Sequence, residues 1–266
     1  MKHRIFAVVA AALVAFSAQS AWADKLRVAT VFSFEPFVSF DSRTGSFKGF
    51  DVDLLTLLAK KNGHTVEFAA VPLGAVLQSV QNGIADIGAG ALSITPERAA
   101  VHLFSDPYYE AGIAMMVPAK DVMINNLADL RFHKLCVERN STADELARTL
   151  NAPVMQLTSM TEVLLAFSRG SCDVVIGDRP LLEYYAGRAE NSKHCKVLPY
   201  KLTQESLGFV FAKKRQGLVE GFNRALAEAR QNGEYQALVR KWFKPPEKPE
   251  ASQSAGIPST SGRDSF

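Results

Sequence analysis

The sequence feature that most constrains the fold is an alternation of short apolar runs with longer segments that have the apolar period of a helix. The first such stretch reads, in order, KLRVATV, DVDLLTLLAKKNG, HTVEFAAV, LGAVLQSVQNG and ADIGAGALS. In its first helical segment, Leu54, Leu57 and Leu58 share one face, and Gly63 stands just past the expected helix end. This alternation predicts βαβ units, and therefore a mostly parallel sheet covered by helices.

The same pattern restarts after MMVPAKDVMINNLADL, which predicts a second α/β unit. Its expected strands are KLCV, VMQL and DVVIG, and its expected helices are TADELARTL, TEVLLAFSRG and PLLEYYAGRA. A last strand, GFVFA, and two last helices, GLVEGFNRALAEARQNG and EYQALVRKWF, lie outside both units. Periodicity alone does not say which unit they join.

The start of the chain has the order of a secretory signal peptide. Lys2 and Arg4 precede an apolar run from Ile5 to Phe16, and small residues follow up to Ala23. The run is too short to span a bilayer, so we expect cleavage of residues 1–23 and export to the periplasm. The alternative is a membrane anchor, which no second apolar stretch of spanning length supports.

Charge and composition exclude one class of partner and predict a disordered end. Cleavage removes two of the 30 basic residues and none of the 27 acidic ones, which leaves a nearly neutral protein. This balance provides no basic surface for nucleic acid or an anionic membrane. After Phe243 the sequence becomes rich in Pro, Ser and Gly, which predicts a disordered tail over residues 244–266.

The three cysteines do not form a metal motif. None of them lies in a C-x-x-C pair or near a His at ligand spacing, and we expect no metal or cofactor. Cys136 lies in the apolar run KLCV, as a buried small hydrophobe would. Cys172 and Cys195 each precede a short apolar run and could bridge neighbouring strands. We therefore predict a Cys172–Cys195 disulfide, with Cys136 reduced.

The segment SITPER places an arginine at the start of a helix. Thr95 is a good N-cap, Pro96 suits the first helical position, and Arg98 falls in the first turn. A cation there opposes the helix dipole, but the position makes sense if an anion lies between the guanidinium and the free N–H groups. The alternative is that Arg98 reaches solvent or a neighbouring acid.

The second unit offers two further candidate sites. Asn140, Ser141 and Thr142 stand at the mouth of a helix and could bind an anion, although N-capping by Ser141 or Thr142 explains them equally well. Asp178 ends a predicted strand, at the sheet edge where ligands of α/β proteins bind. It could accept hydrogen bonds from an ammonium group, or simply cap the helix opened by Pro180.

The loop after the first strand concentrates four aromatic residues, and a free ring at such a loop tip can stack on a ligand. They are Phe32, Phe34, Phe37 and Phe40. The five histidines show no pairing with a Ser or Cys nucleophile, and the G-x-S-x-G motif is absent, so nucleophilic catalysis has no support.

Six segments together resemble a known family, and they follow one another from about Leu26 to Phe243. They are LRVATVFSFEPF, GFDVDLL, NGIADIGAGALSITPER, FSDPYYEAG, GSCDVVIGD and NGEYQALVRKWF. The sequence is similar to the periplasmic amino-acid-binding proteins of ABC importers, solute-binding protein family 3, with the type II periplasmic binding fold. The combination of SITPER with FSDPYY is fairly specific to that family.

The resemblance implies two α/β lobes with a ligand cleft between them. Lobe 1 would comprise residues 24–116 and 206–243, and lobe 2 residues 117–205. Two crossovers, near residues 115–119 and 202–208, would join the lobes, and the last strand and helices would return to lobe 1. The expected partners are an amino acid and a membrane permease, and we expect a monomer.

The resemblance also implies a role for each candidate residue in the cleft. Arg98 would hold the ligand carboxylate, and Thr142 would add an amide from the second lobe. Asp178 would take the ammonium group. The remaining contacts would come from Ser93 and the backbone at Ala91, which would touch the head group, and from Phe34, which would stack.

Three positions limit what the resemblance says about the ligand side chain. Where relatives that bind glutamine or basic amino acids often carry Asp, this chain has Val31, and it has Leu73 where they carry a stacking Phe. Glu138 occupies a position that faces the ligand side chain in such relatives. An acid there favours a side chain that donates hydrogen bonds or carries positive charge, although Glu138 could also point to water or pair with Arg139.

Two other functions compete with transport. Cyclohexadienyl (arogenate or prephenate) dehydratases resemble the same family and would use an acid in the cleft, such as Glu35 or Glu138. No paired acid and base is evident, so we expect no enzyme activity. A receptor's sensory half would need a membrane span after the lobes, where this sequence has only a short tail.

Overall fold

The computed structural model describes residues 24–120, 124 and 127–243. The predicted signal peptide, residues 1–23, and the predicted tail, residues 244–266, lie outside the described residues. The seven strands and seven helices expected from the alternation are all present, and the other strands lie outside that alternation. The strands are β1 Lys25–Thr30, β2 Ser33–Phe34, β3 Val38–Asp41, β4 Ser46–Lys48, β5 Thr65–Ala70, β6 Ile87–Gly88, β7 Leu103–Phe104, β8 Tyr109–Ala111, β9 Ile113–Pro118, β10 Leu135–Glu138, β11 Val154–Leu157, β12 Val174–Asp178, β13 Cys195–Val197, β14 Glu205–Leu207 and β15 Val210–Phe211.

Eight α-helices cover the sheets in the described part of the chain. They are α1 Phe50–Lys61, α2 Leu73–Gln81, α3 Pro96–Val101, α4 Thr142–Thr149, α5 Met160–Ser168, α6 Arg179–Gly187, α7 Gln216–Gln231 and α8 Glu234–Trp242. Short 3₁₀ segments occupy Leu127–Phe132 and Lys213–Arg215. Helix α1 ends where its sequence predicts, because Gly63 adopts a positive φ of 75° just beyond it.

The first lobe is built on a five-stranded sheet with the order β5-β1-β6-β15-β7. Strand β1 runs parallel to β5 and β6, and β15 runs antiparallel to β6 and β7. The sequence pattern left the membership of the last strand open; the structure inserts β15 into this first sheet. Helices α7 and α8 pack against α1, and therefore belong to the same lobe.

The second lobe is built on a sheet with the order β11-β10-β12-β9-β13. Strand β10 runs parallel to β11 and β12, while β9 runs antiparallel to β12 and β13. Each sheet therefore has four strands in one direction and one opposed strand. The mostly parallel, two-lobe α/β architecture expected from the sequence is confirmed.

The opposed strands, β15 of the first sheet and β9 of the second, lie next to the two places where the chain passes between the lobes. Strands β8 and β14 pair with each other antiparallel in a sheet of their own. Strand β8 leads directly into β9 of the second sheet, and β14 leads into β15 of the first. We call the β8–β14 pair the hinge pair. The lobe bounds given above stay a prediction.

The predicted disulfide is wrong. The bond joins Cys136 to Cys172, and Cys195 is a buried free thiol. The reason lies in the strand order: Cys195 begins β13, which is separated from β12 by the opposed strand β9. Cys172 precedes β12 and instead lies beside β10, whose Cys136 is paired in register with Val175. The two apolar runs that suggested neighbouring strands are not neighbours.

Within the described residues, no helix combines the length and the apolar character needed to cross a membrane.

Candidate functional site: the cavity between the lobes

A cavity between the two lobes collects six of the seven predicted site residues. Its lining includes Phe34, Ala91, Ser93, Arg98, Thr142 and Asp178. The same cavity is completed by Leu73, Gly90, Leu92, Ser141, Ala143, Met160 and Gly177. These residues come from both lobes, so the cavity exists only where the lobes meet. Glu138, the seventh predicted residue, does not line it.

Arg98 is held in place by backbone groups from both lobes. Thr95 caps α3 as predicted, since its Oγ1 accepts a hydrogen bond from the backbone N–H of Arg98 at 3.2 Å. The Arg98 guanidinium donates to the carbonyl of Ser93 at 3.1 Å and to the carbonyl of Asn140, across the cleft, at 3.4 Å. In the described part of the chain no carboxylate lies within ion-pair distance of it. Neutral partners fix its position and leave its charge available to an anion.

The loop that carries Ala91 is anchored by a buried acid that the sequence analysis did not single out. Oδ2 of Asp51 accepts hydrogen bonds from the backbone N–H groups of Gly90 and Ala91 and from the hydroxyl of Tyr108, each at 2.9 Å. Ala91 adopts a positive φ of 54°, which these bonds help to hold. Because its N–H is already paired, only the carbonyl of Ala91 is free to meet a ligand. Asp51 lies in the GFDVDLL segment that carries the family resemblance.

Three polar residues at the N-terminus of α4 have different roles. Ser141 is the N-cap: its Oγ accepts from the N–H of Asp144 at 3.1 Å and donates to the carbonyl of Glu138 at 2.7 Å. Asn140 takes a positive φ of 66°, a conformation that Asn tolerates better than most residues. The hydroxyl of Thr142, which capping does not use, donates to Glu205 at 2.9 Å. Capping is therefore the task of Ser141, and Thr142 is left facing the cavity.

Asp178 stands at the N-cap position of α6 but does not cap it with its side chain. The side chain is only 6% exposed, and its Oδ1 has no hydrogen-bond partner among the described residues. Burial raises its pKa to about 7, with a further rise from Glu205 and an opposing effect from Arg98. A buried carboxyl oxygen that has no protein partner and lies on the lining of a cavity can accept a hydrogen bond from a donor group of a ligand.

Glu138 lies behind the cavity lining, at the end of the strand next to that of Asp178. It is 2% exposed, and its Oε2 also has no partner among the described residues. Burial, and then the nearby charge of Asp178, raises its pKa to about 8, although a hydrogen bond from the backbone of Met160 lowers it. The alternatives of a solvent-facing Glu138 and of a Glu138–Arg139 pair are both wrong, since the side chain is buried and forms no ion pair with any residue that the structure describes.

The apolar side of the cavity is formed by Phe34, Leu73 and Met160. Phe34 is buried and turns its ring toward Phe37, with 6.4 Å between the centroids. Met160, at the start of α5, is a lining residue that the sequence analysis missed, because it reads as an ordinary core position of that helix. Glu35, by contrast, lies outside this cavity and forms an ion pair with Arg188 at 3.5 Å.

The cavity therefore has one group that favours a negative ligand charge and one that favours a positive ligand charge close together. The guanidinium of Arg98, which has free donors, lies on its lining together with the carboxyl of Asp178, one oxygen of which has no partner in the described part of the chain, and an apolar wall completes the lining. Among the described residues no group of three or more His, Cys, Asp or Glu side chains could hold a metal ion. Fold and site together define a two-lobe protein that encloses a small ligand between its lobes.

Comparison with known proteins agrees with this class. The family model of bacterial extracellular solute-binding proteins, family 3, matches residues 26–245. A probable histidine-binding protein of Neisseria gonorrhoeae is 30% identical over 223 residues, which cover 82% of each chain. An ancestral arginine-binding protein, solved with arginine bound, is 31% identical, with a TM-score of 0.77 over 83% of this chain and 98% of that one. The ancestral amino-acid-binding protein AncCDT-1, a precursor of cyclohexadienyl dehydratase, is 31% identical, with a TM-score of 0.76 over 83% and 96%.

The chain belongs to the bacterial extracellular solute-binding proteins, family 3. The family and the two-lobe periplasmic binding fold expected from the sequence are thus confirmed.

Proposed function

We propose that this protein captures an α-amino acid in the cavity between its lobes and delivers it to an ABC permease. The observation that carries the proposal is that a cationic group and an acidic group lie on the lining of the same cavity. Arg98 offers free guanidinium donors, and Asp178 offers a buried oxygen that has no partner among the described residues. An α-amino acid carries a carboxylate and an ammonium group on one carbon, and these two groups satisfy both needs at once.

The proposed contacts assign each predicted residue a part. Arg98 binds the ligand carboxylate, with the backbone N–H of Thr142 adding a donor from the second lobe. Asp178 accepts from the ammonium group, as does the carbonyl of Ala91. Ser93 contacts the head group, and Phe34 packs against the aliphatic part of the ligand. Ligand contacts from both lobes favour the closed arrangement and so bias a hinge motion about the hinge pair.

The ligand is an amino acid without net negative charge. Two buried carboxyls, Asp178 and Glu138, lie at the ends of the neighbouring strands β12 and β10, and a second negative charge on the ligand would disfavour the ionised Asp178 that the ammonium group needs. Relatives named for histidine and arginine binding agree with this class of ligand.

The setting of this function is the periplasm. The family is extracellular, and the amino-terminal sequence has the order of a cleaved signal peptide. We expect a monomer that meets the permease only when its lobes have closed on the ligand.

We propose binding without catalysis. A dehydratase related to AncCDT-1 would need an acid positioned against the ligand, and the two acids considered from the sequence do not line the cavity: Glu35 is paired with Arg188, and Glu138 is buried behind the lining. Asp178 lines it alone, without a second proton-transfer group in the lining, so an ammonium partner is the role that fits it.

The test is a calorimetric cycle on Arg98 and Asp178. A thermal-shift screen of the common amino acids first identifies the tightest ligand, because binding raises the melting temperature by mass action. Removing either charged partner leaves a ligand charge unpaired in the cavity, which costs roughly 3 to 5 kcal/mol, or about two to four decades in affinity. Arg98→Ala and Asp178→Asn should therefore bind that amino acid at least about a hundredfold more weakly than the wild type.

The methyl ester of the same amino acid isolates the contact with Arg98. The ester should bind the wild type much more weakly than the free acid, but Arg98→Ala should hardly distinguish the two, because both changes remove one contact. Arg43→Ala, at an arginine whose side chain is 88% exposed, is the matched control and should leave both affinities unchanged. Equal binding of ester and free acid to the wild type would show that Arg98 does not hold a carboxylate.

A further inference from the structure

A glutamate behind the cavity joins its two walls. Oε2 of Glu205 accepts hydrogen bonds from the hydroxyl of Ser93, in the first lobe, and from the hydroxyl of Thr142, in the second, at 2.5 and 2.9 Å. Its Oε1 accepts from the hydroxyl of Thr203 at 2.9 Å. Glu205 itself does not line the cavity, whereas Ser93 and Thr142 do. It therefore lies on the far side of the two hydroxyls from the ligand.

The position of Glu205 is set by the hinge pair. It begins β14, where it pairs with Ala111 of β8, and Ser93 is bridged to Leu207 of the same strand. Thr203, which donates to Glu205, in turn accepts from the backbone N–H of Ile113 at 2.9 Å. Backbone pairing on both sides thus fixes the carboxylate against the loop that carries Ser93.

The chemistry of a hydroxyl then decides what Ser93 can offer to a ligand. A hydroxyl has one proton to donate and two lone pairs to accept with. The Ser93 proton is committed to a carboxylate, which can only accept, so Oγ of Ser93 can act toward the cavity only as an acceptor. A ligand carboxylate has no proton to donate and cannot bond to it, but an ammonium group can.

We propose that Glu205 is a positioning residue that fixes the Ser93 hydroxyl as a hydrogen-bond acceptor for the ligand's ammonium group. Glu205 thereby gives the cavity a third ammonium acceptor, beside Asp178 and the carbonyl of Ala91. The bond to Thr142 crosses the cleft, so the arrangement is complete only when the two lobes are closed. This inference rests on the proposed function, since it assigns one more contact to the same ligand.

The experiment compares two ligands: the tightest amino acid from the screen, and its counterpart with hydrogen in place of the α-amino group. The measured quantity is the affinity for the amino acid divided by the affinity for the counterpart without the amino group, each obtained by calorimetry. Glu205→Ala should lower this ratio about tenfold or more, because the Ser93 hydroxyl loses the acceptor for its proton and with it the orientation that keeps its lone pairs toward the ammonium group. A merely structural role in the hinge would weaken both ligands equally and leave the ratio unchanged.

Three further variants separate positioning from charge and from misfolding. In a Ser93→Ala background, Glu205→Ala should not lower the ratio further; a second drop there would mean that Glu205 acts through its charge, and would overturn the proposal. Glu205→Leu fills the volume of the side chain and should repeat the result of Glu205→Ala. Glu110→Ala removes the other hinge-pair glutamate, which accepts from Ser206 at 2.9 Å, and should leave the ratio as in the wild type.

The outcome also distinguishes this inference from the proposed function. If no amino acid binds the wild type, the proposed function fails. If an amino acid binds the wild type and Arg98→Ala loses it, but Glu205→Ala keeps the wild-type ratio, only the role of Glu205 is overturned.

Discussion

Replacing Glu138 by Gln should stabilise this protein at neutral pH and do little at pH 5. Glu138 is buried, and its pKa is raised to about 8 by burial and by Asp178, from an ordinary value of 4.5. The folded state therefore holds a proton that the unfolded state releases at neutral pH. Gln has nearly the shape of the protonated acid, and its amide oxygen can still accept from the backbone of Met160, but it never ionises.

The size of the effect follows from the two pKa values. A folded-state pKa above the unfolded value means that the free energy of unfolding falls as pH rises, by up to about 1.4 kcal/mol per pH unit between about pH 4.5 and pH 8. At pH 5 Glu138 costs the wild type less than about 1 kcal/mol, and at pH 7 it costs about 3 kcal/mol. For a chain of this size, about 3 kcal/mol corresponds to roughly 6 to 12 °C in melting temperature.

The assay is urea unfolding of ligand-free protein from pH 5 to pH 8.5. The stability difference between Glu138→Gln and the wild type should grow steadily up to about pH 8 and then level off. Glu145→Gln, at an exposed glutamate of α4, is the matched control and should give a curve parallel to the wild type. Parallel curves for Glu138→Gln as well would refute the reasoning, because Glu138 would then ionise as readily in the folded protein as in the unfolded one.

Two further predictions follow from the buried contacts. Thiol counting in denaturant should find one free cysteine, and peptide mapping should place it at Cys195, so a label on Cys136 in the wild type would contradict the pairing. Cys136→Ser removes a disulfide that spans 36 residues of sequence and should lower the free energy of unfolding in urea by about 4 kcal/mol. Asp51→Ala leaves three buried donors without an acceptor, so it should cost about 3 to 5 kcal/mol of stability and weaken amino-acid binding measured by calorimetry. A loss below about 1 kcal/mol would mean that the Ala91 loop does not depend on Asp51.

Much of the local structure could be predicted from the sequence. Helices such as α1 and α7 appear where apolar residues recur at the helical period, and Gly63 ends α1 as expected. Thr95 and Ser141 cap their helices with their own side chains. These features depend on groups a few residues apart, so they are decided by local spacing and by the hydrogen-bonding needs of a helix end.

The sequence predicted individual residues of the candidate site, but not all of the residues that hold them in place. Six of its residues could be named because strand ends and helix starts in α/β units converge at one edge, and because the motifs resemble a known family. Asp51, Met160 and Glu205 were not named. Their side chains act through partners about 40 to 110 residues away or across the cleft, and no local pattern distinguishes them from ordinary core or surface positions.

The amino-acid sequence by itself determined the alternation of the main strands and helices in each lobe, the caps of helices such as α3 and α4, and the family. Only the tertiary structure decided that β9 separates β12 from β13, so that Cys136 rather than Cys195 reaches Cys172. It also decided that Asp178 does not cap α6 and that one of its oxygens has no partner within the described ranges. The physical reason is common to both: the period and the caps depend on neighbours in sequence, whereas strand order and the burial of a carboxyl depend on which distant segments exclude water together.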